Sequence, residues 1–151
     1  MDIEVSHTEF TKASPQDVWF FWSNPDTWSQ WDTGIEWCKL NEGSTFSAEG
    51  KATLLPKGAP YPIEITITDC VPNEYFIDQG QTPLGTIILS HQIVVIDSGV
   101  NVTHKMKFIP KDQKSKKAFE SGLLKKMQKE LPEAVRLLVK LVEQNEKIES
   151  S

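Results

Sequence analysis

The feature that most constrains this chain is a long amphipathic stretch near its end, residues 111–147. Apolar residues recur there at helical spacing while lysines and glutamates fill the other positions, a pattern typical of a helix with one buried face. The stripe consists of Phe119, Leu123, Met127, Leu131, Val135 (or Ala134), Leu138 and Val142, widened by Leu124, Leu137 and Leu141. We predict one long helix, kinked at Pro132. Gly122 weakens it locally, so residues 114–122 could open as a gate.

The chain before this stretch alternates between strand patterns and turn residues. A first strand is predicted over 2–12, followed by a helix beginning at Ser14-Pro15 and a second short helix from Pro25 to about Gln30. Further strands are predicted over 36–41, 45–55, 61–71, 75–80, 84–96 and 100–109. Because the connections between them are short, these strands should form an antiparallel meander.

Length and composition limit the class of protein. With 151 residues, 38% hydrophobic and 25% charged, we expect a single domain spanning 1–151 rather than a disordered chain. Neither a secretory signal nor a run of 18 apolar residues is present, which predicts a cytoplasmic, soluble protein without stable membrane insertion. The net charge of −5 argues against nucleic acid as the partner. Lysines of the terminal stretch could still allow transient contact with anionic lipid.

The order of the elements, together with several short motifs, resembles a known superfamily. The motifs are Ala13-Ser-Pro-Gln-Asp-Val-Trp19, Asn24-Pro-Asp-Thr-Trp-Ser-Gln-Trp31, Gly99-Val-Asn-Val-Thr103 and the proline-containing terminal helix. They resemble the START-related, birch-pollen-allergen-like (SRPBCC) superfamily, in particular its polyketide cyclase/dehydrase-like branch. The resemblance implies an α+β helix-grip fold, in which a curved seven-stranded antiparallel sheet surrounds the C-terminal helix and two short helices separate strands 1 and 2. It also implies a hydrophobic ligand cavity, but the superfamily includes enzymes, lipid carriers, sensors and chaperone-associated domains.

All three histidines of the sequence fall in predicted strands. If Val95 faces Val100 across the turn, then His91 lies opposite His104 on the inner face of the sheet, and the resemblance would bring the first strand with His7 beside them. Such imidazoles could be structural or orient a ligand, could act as a general acid and base, or could bind a metal. We favour the first reading and predict no metal site and no cofactor. Cys38 and Cys70 form no paired spacing and are expected to be reduced.

These observations predict a protein that binds a hydrophobic small molecule, such as a lipid, a polyketide or a ring-bearing metabolite, as a carrier or sensor. The alternative is a cyclase- or dehydratase-like enzyme that uses His91 and His104 as general acid and base. Whether the protein is a monomer or a homodimer is left open. The tryptophans are clustered in residues 19–37. They either pack the core or, in the case of Trp28, Trp31 and Trp37, face the ligand. The predicted ligand-binding residues are Trp31, Trp37, Asp78, Leu89, His91, Ile93, Val102, His104, Met106, Phe108, Leu123, Met127 and Leu131.

Overall fold

A computed structural model describes the backbone of residues 2–150 and the side chains of residues 2–145. Seven strands and four α-helices follow one another along the chain, with a short 3₁₀ helix at Pro25–Thr27. In chain order they are β1 (Ile3–Thr11), α1 (Pro15–Trp22), α2 (Trp28–Trp31), β2 (Ile35–Leu40), β3 (Lys51–Pro56), β4 (Ile63–Val71), β5 (Tyr75–Thr82), β6 (Gly85–Ile96), β7 (Gly99–Pro110), α3 (Gln113–Ser121) and α4 (Leu123–Ser150).

The strands form a single curled antiparallel sheet in the order β1-β7-β6-β5-β4-β3-β2. The first strand closes against the last one, so the meander curls around a concave face. Register shifts between Ile35 and Trp37 and between Ile67 and Asp69 mark β-bulges, which increase the local bend. The predicted helix-grip architecture is confirmed.

Two short helical segments close one end of this concave face. Ser14 caps α1 by accepting a hydrogen bond from the Asp17 amide, while the Asp17 carboxylate accepts one from the Ser14 amide. The 3₁₀ helix and α2 follow directly. As a result Trp22, Trp28 and Trp31 are carried into the interior, each at most 3% exposed.

The terminal stripe is divided between two helices, so the prediction of one helix over 111–147 is wrong. The break falls at Gly122, whose backbone angles of φ −134° and ψ −81° lie outside the helical region. Glycine adopts such angles at low cost, whereas α4 continues through Pro132. The buried face of α4, formed by Leu131, Ala134, Val135, Leu138, Val139 and Val142, packs inside the curled sheet.

The predicted strand over 45–55 is also shorter than expected. Only Lys51–Pro56 pairs as β3, while the residues before it make turns in which Glu49 takes a positive φ of 73°. This irregular segment places the ring of Phe46 against Phe76, with centroids 4.9 Å apart. None of the described helices combines the length and the hydropathy that crossing a bilayer requires.

Candidate ligand cavity

A cavity of about 170 Å³ lies between the sheet and α4. Its walls are mostly apolar and come from α2 and the loop after it, from β2 to β7, and from α4. The lining residues are Trp31, Asp32, Gly34, Ile35, Leu54, Ile63, Ile65, Asp78, Gly80, Thr82, Ile87, Leu89, Ser90, His91, His104, Lys105, Met127, Glu130, Leu131 and Ala134.

The structure brings about half of the predicted ligand-binding residues to this cavity. They are Trp31, Asp78, Leu89, His91, His104, Met127 and Leu131. Ile93 and Val102 instead pack in the main core, nearer the β6–β7 turn. Met106 and Phe108 belong to a smaller cluster behind the lining, where Phe119 of α3 stacks on Phe108 with ring centroids 3.8 Å apart. The break at Gly122 is what allows α3 to cover this end of the sheet.

Two predicted residues lie outside the interior. Trp37 is 36% exposed and its ring is approached by Lys39, whose Nζ is 5.4 Å from the ring centroid. Leu123 is 39% exposed at the first position of α4. Neither side chain lines the cavity, because the bulge in β2 and the start of a new helix shift the facing that the sequence pattern indicated.

The histidines form a row across three neighbouring strands. Val95 pairs with Val100, so His91 lies opposite His104 as predicted, and His7 lies opposite His104 on the other side. The rings of His91 and His104 have centroids 4.7 Å apart. His7, at the end of the row, differs from the other two histidines. It forms a hydrogen bond with Glu9 at 3.0 Å and does not line the cavity.

Both interior histidines are neutral at physiological pH. Burial lowers the pKa of His91 to about 3 and holds the pKa of His104 well below its ordinary value. Trp22 Nε1 donates a hydrogen bond to His104 Nε2 at 3.2 Å, so the hydrogen of this neutral ring is on Nδ1. His91 stacks face to face on Phe76, at 3.9 Å between centroids, and its Nδ1 has no partner.

Aromatic rings fill the part of the interior next to the cavity. Trp22 and Trp28 both contact Phe76 and His91, at centroid distances between 5.6 and 6.5 Å. We call this the aromatic cluster, consisting of Trp19, Trp22, Trp28, Phe46 and Phe76. The cavity-lining rings of His91 and His104 pack against it. The indole groups of Trp22 and Trp28 are satisfied, since Trp22 Nε1 donates to His104 and Trp28 Nε1 donates a hydrogen bond to the Trp22 carbonyl at 2.9 Å.

Asp78 is a buried carboxyl group at the cavity wall. It lies on β5 opposite Leu89, is 1% exposed, and its Oδ2 has no hydrogen-bond partner. Burial, with a smaller contribution from Asp32, raises the pKa of Asp78 to about 8. The group is therefore mostly protonated at pH 7, and it can donate a hydrogen bond as well as accept one.

Two further carboxyl groups line the cavity and were missed by the sequence analysis. Asp32 follows α2, accepts a hydrogen bond from the Gly34 amide at 2.9 Å, and has its pKa raised to about 6 by burial and by Glu130. Glu130 approaches Gly34 so closely that a β-carbon there would lie 2.6 Å from Oε2. A signal for Glu130 was available, because it lies three residues after Met127 and four before Ala134, on the same helix face.

Three buried polar atoms of the lining lack partners: Trp31 Nε1, Asp78 Oδ2 and His91 Nδ1. Such atoms are uncommon in folded proteins, because each costs about 1–3 kcal/mol when it is left unpaired. Within residues 2–145, no three His, Cys, Asp or Glu side chains are arranged to hold a metal ion. The arrangement can therefore hold an organic molecule with an apolar body and a few polar groups.

Solved structures with the same fold include enzymes. The Zhui aromatase/cyclase from Streptomyces sp. R1128 superposes with a TM-score of 0.73 at 11% identity, covering 95% of each chain. The norcoclaurine synthase from Thalictrum flavum gives 0.68 at 13% identity, over 94% of this chain and 87% of its own. The di-domain aromatase/cyclase StfQ of the steffimycin biosynthetic pathway gives 0.75 at 11% identity, over 97% of this chain and 52% of its own.

Sequence comparison gives a family for the chain. A search of curated proteins found no match. Residues 12–143, however, match the family described as Activator of Hsp90 ATPase homolog 1-like protein, so the match includes α1, α2 and all of the cavity lining. Since this family is part of the SRPBCC superfamily, the resemblance inferred from the sequence is confirmed. The chain belongs to the Activator of Hsp90 ATPase homolog 1-like family.

Proposed function

We propose that the protein binds a small, mostly apolar molecule in the cavity, as a carrier or sensor. The observation that carries this proposal is the set of unpaired polar atoms in residues of a mostly apolar lining, namely Trp31 Nε1, Asp78 Oδ2 and His91 Nδ1. Apolar walls supply affinity and a few polar groups fix the orientation of a ligand. A ligand that bonds these three atoms removes their desolvation cost.

The volume of the cavity narrows the class of ligand. An engineered protein cavity of about 150 Å³ binds benzene, whereas pockets for drug-sized molecules measure about 300–1,000 Å³. At about 170 Å³, this cavity matches a molecule with one ring. Among the ligands expected from the sequence, a ring-bearing metabolite therefore fits better than a lipid or a polycyclic polyketide.

An enzymatic function would use carboxyl groups for proton transfer rather than the two histidines expected from the sequence. His91 has a pKa of about 3, too low for an efficient base at neutral pH, and His104 has its Nε2 occupied by Trp22. Asp78 and Asp32, with pKa values of about 8 and 6, are better matched to proton transfer near pH 7. Two solved structures with the same fold are enzymes, which supports an enzymatic activity as the second candidate function.

Binding is tested with a neutral one-ring probe and a variant that blocks the cavity. We expect native mass spectrometry of protein purified without detergent to show one bound small molecule per chain. We also expect calorimetric titration with benzyl alcohol to give one site. Met127→Trp should lower the affinity for benzyl alcohol at least about 10-fold by filling the cavity.

Leu123→Trp is the matched control, because Leu123 is on the same helix but exposed. It should bind benzyl alcohol as the wild type does. Equal binding by the Met127→Trp variant, or no binding by the wild type, contradicts the proposal.

A further inference from the structure

The charges that face the cavity are unbalanced. Three carboxyl groups line it, on Asp32, Asp78 and Glu130. Among the described lining residues the only Lys or Arg is Lys105, and its Nζ pairs with Glu4 at 3.4 Å. Glu4 and its neighbours on that face of β1 are exposed, so the ammonium of Lys105 is held away from the cavity. Among the described residues that line the cavity, no cation is thus left to neutralise the carboxyl groups inside.

These carboxyl groups act on one another. The negative charge of Asp32 adds to the raised pKa of Asp78, and that of Glu130 adds to the raised pKa of Asp32. Outside the cavity, Lys126 is 3.9 Å from Glu130, but its side chain is 47% exposed and the pair is weak. A positive charge placed among the three groups would relieve both the repulsion and the cost of burying Asp78.

Asp78 is the buried polar group of this site, since it lines the cavity, is 1% exposed and has an Oδ2 without a hydrogen-bond partner. Most of the remaining wall is apolar or aromatic, and Trp31 contributes an indole ring that attracts cations. No described set of side chains has the arrangement of a metal site, which favours an organic cation over a metal ion. An organic cation also supplies the apolar body that the walls require.

We propose that the ligand is a small amine with a single ring, bound as its ammonium ion with the nitrogen toward Asp78 and Asp32 and the ring against Trp31 and Leu89. This proposal rests on the proposed function and names its ligand class. It has a measurable consequence. Binding of an ammonium ion favours the ionised form of Asp78, so the carboxylic acid releases its proton to the buffer while the ammonium keeps its own.

The experiment compares three one-ring probes of different charge by calorimetric titration at pH 7: benzylamine, benzyl alcohol and benzoate. A hydrogen bond to a charged group is stronger than one between neutral groups, so benzylamine should bind at least about 10-fold more tightly than benzyl alcohol. Benzoate should bind most weakly. Titrations in buffers of different ionisation enthalpy should show release of close to one proton per benzylamine and none per benzyl alcohol.

Asp78→Asn should abolish both the preference for benzylamine and the proton release. Asp32→Asn, at a half-buried position, should reduce the preference and serves as a second variant if Asp78→Asn does not fold. Asp97→Asn, at an exposed turn, is the control and should behave as the wild type.

The outcomes separate the two proposals. If benzyl alcohol binds but benzylamine binds no more tightly, or if benzoate binds best, the amine is excluded and the proposed function stands. If none of the three probes binds to the wild type, both proposals fail. A preference for benzylamine that persists in both Asp78→Asn and Asp32→Asn would exclude the assigned carboxyl groups.

Discussion

The aromatic cluster and the cavity lie side by side under α4, yet they treat buried polar atoms in opposite ways. In the aromatic cluster, Trp22 Nε1 has His104 as its partner and Trp28 Nε1 has a backbone carbonyl. At the cavity, Trp31 Nε1 has no partner, although Trp31 and Trp28 are only 5.9 Å apart by ring centroid. Two tryptophans of one short helix are thus used differently.

The difference indicates which of these groups hold the fold together and which are available for a ligand. A buried polar atom without a hydrogen-bond partner lowers the stability of the folded protein. Such atoms therefore contribute nothing to the fold unless a ligand bonds them. Under the proposed function, polar groups of the aromatic cluster specify packing, whereas those of the cavity are available to a ligand. The following substitutions test this division, beginning with the largest expected effect.

Trp22→Ala should cause the largest loss of stability. Trp22 is fully buried, contacts four aromatic rings and bonds to His104. Truncation of a buried Trp costs about 3–5 kcal/mol. The free energy of unfolding from urea denaturation should fall by that amount, whereas Phe20→Ala, at a 52% exposed position of the same helix, should change it by less than about 1 kcal/mol. A loss below about 1 kcal/mol for Trp22→Ala would show that the aromatic cluster does not stabilise the fold.

Asp78 should make stability fall as the pH rises. Its folded-state pKa of about 8 is above the ordinary value for Asp, so the folded protein retains a proton that the unfolded chain has lost. The stabilisation is complete below about pH 4 and disappears as the pH passes 8. Asp32 changes mainly below pH 6 and His91 below its ordinary value of 6.5, which leaves Asp78 dominant from pH 6.5 to 8.

Over that interval the wild type should lose about 2 kcal/mol of unfolding free energy, since one pH unit corresponds to about 1.4 kcal/mol per proton. Asp78→Asn should remove this pH dependence, as measured by urea denaturation at both pH values. The same slope in the variant would mean that another group causes it.

The two interior histidines should differ although they are paired on neighbouring strands. His104→Leu leaves Trp22 Nε1 without an acceptor, which costs about 1–3 kcal/mol, whereas His91→Leu removes an atom that is already unpaired. His104→Leu should therefore lower the unfolding free energy by at least about 1 kcal/mol more than His91→Leu. Equal losses would mean that the bond from Trp22 contributes little. Binding of benzyl alcohol should survive His104→Leu.

Some of these features could be predicted from the sequence because they depend on local chemistry. The turn at Asp97-Ser98-Gly99 fixes the register of β6 and β7, and with it the pairing of His91 with His104. The helix start at Ser14 follows from its capping box. Alternation along β6 also identified Leu89, and Asp78 was expected near the histidines; both line the cavity.

Other features could not be predicted from the sequence, because they depend on which side chains fill the interior of the folded protein. Met106 has the inward facing that alternation predicts, but Phe119 and Phe108 occupy the adjoining volume once α3 separates at Gly122. Asp32 is in a loop without periodicity, so no pattern indicated that it would meet Glu130 across the cavity. Whether an indole finds a partner is decided by distances of tenths of an ångström, which the sequence does not contain.

The most direct test uses the indole N–H signals of the five tryptophans in a ¹⁵N-labelled sample, assigned by Trp→Phe substitution. On titration with a one-ring probe, benzyl alcohol or benzylamine, we expect the Trp31 signal to shift most because Trp31 lines the cavity and its Nε1 is unpaired. The Trp22 signal should stay in place, since its N–H remains bonded to His104. A saturable shift of Trp22 with an unchanged Trp31, or no shift of any indole signal by either probe, would contradict ligand binding in the cavity.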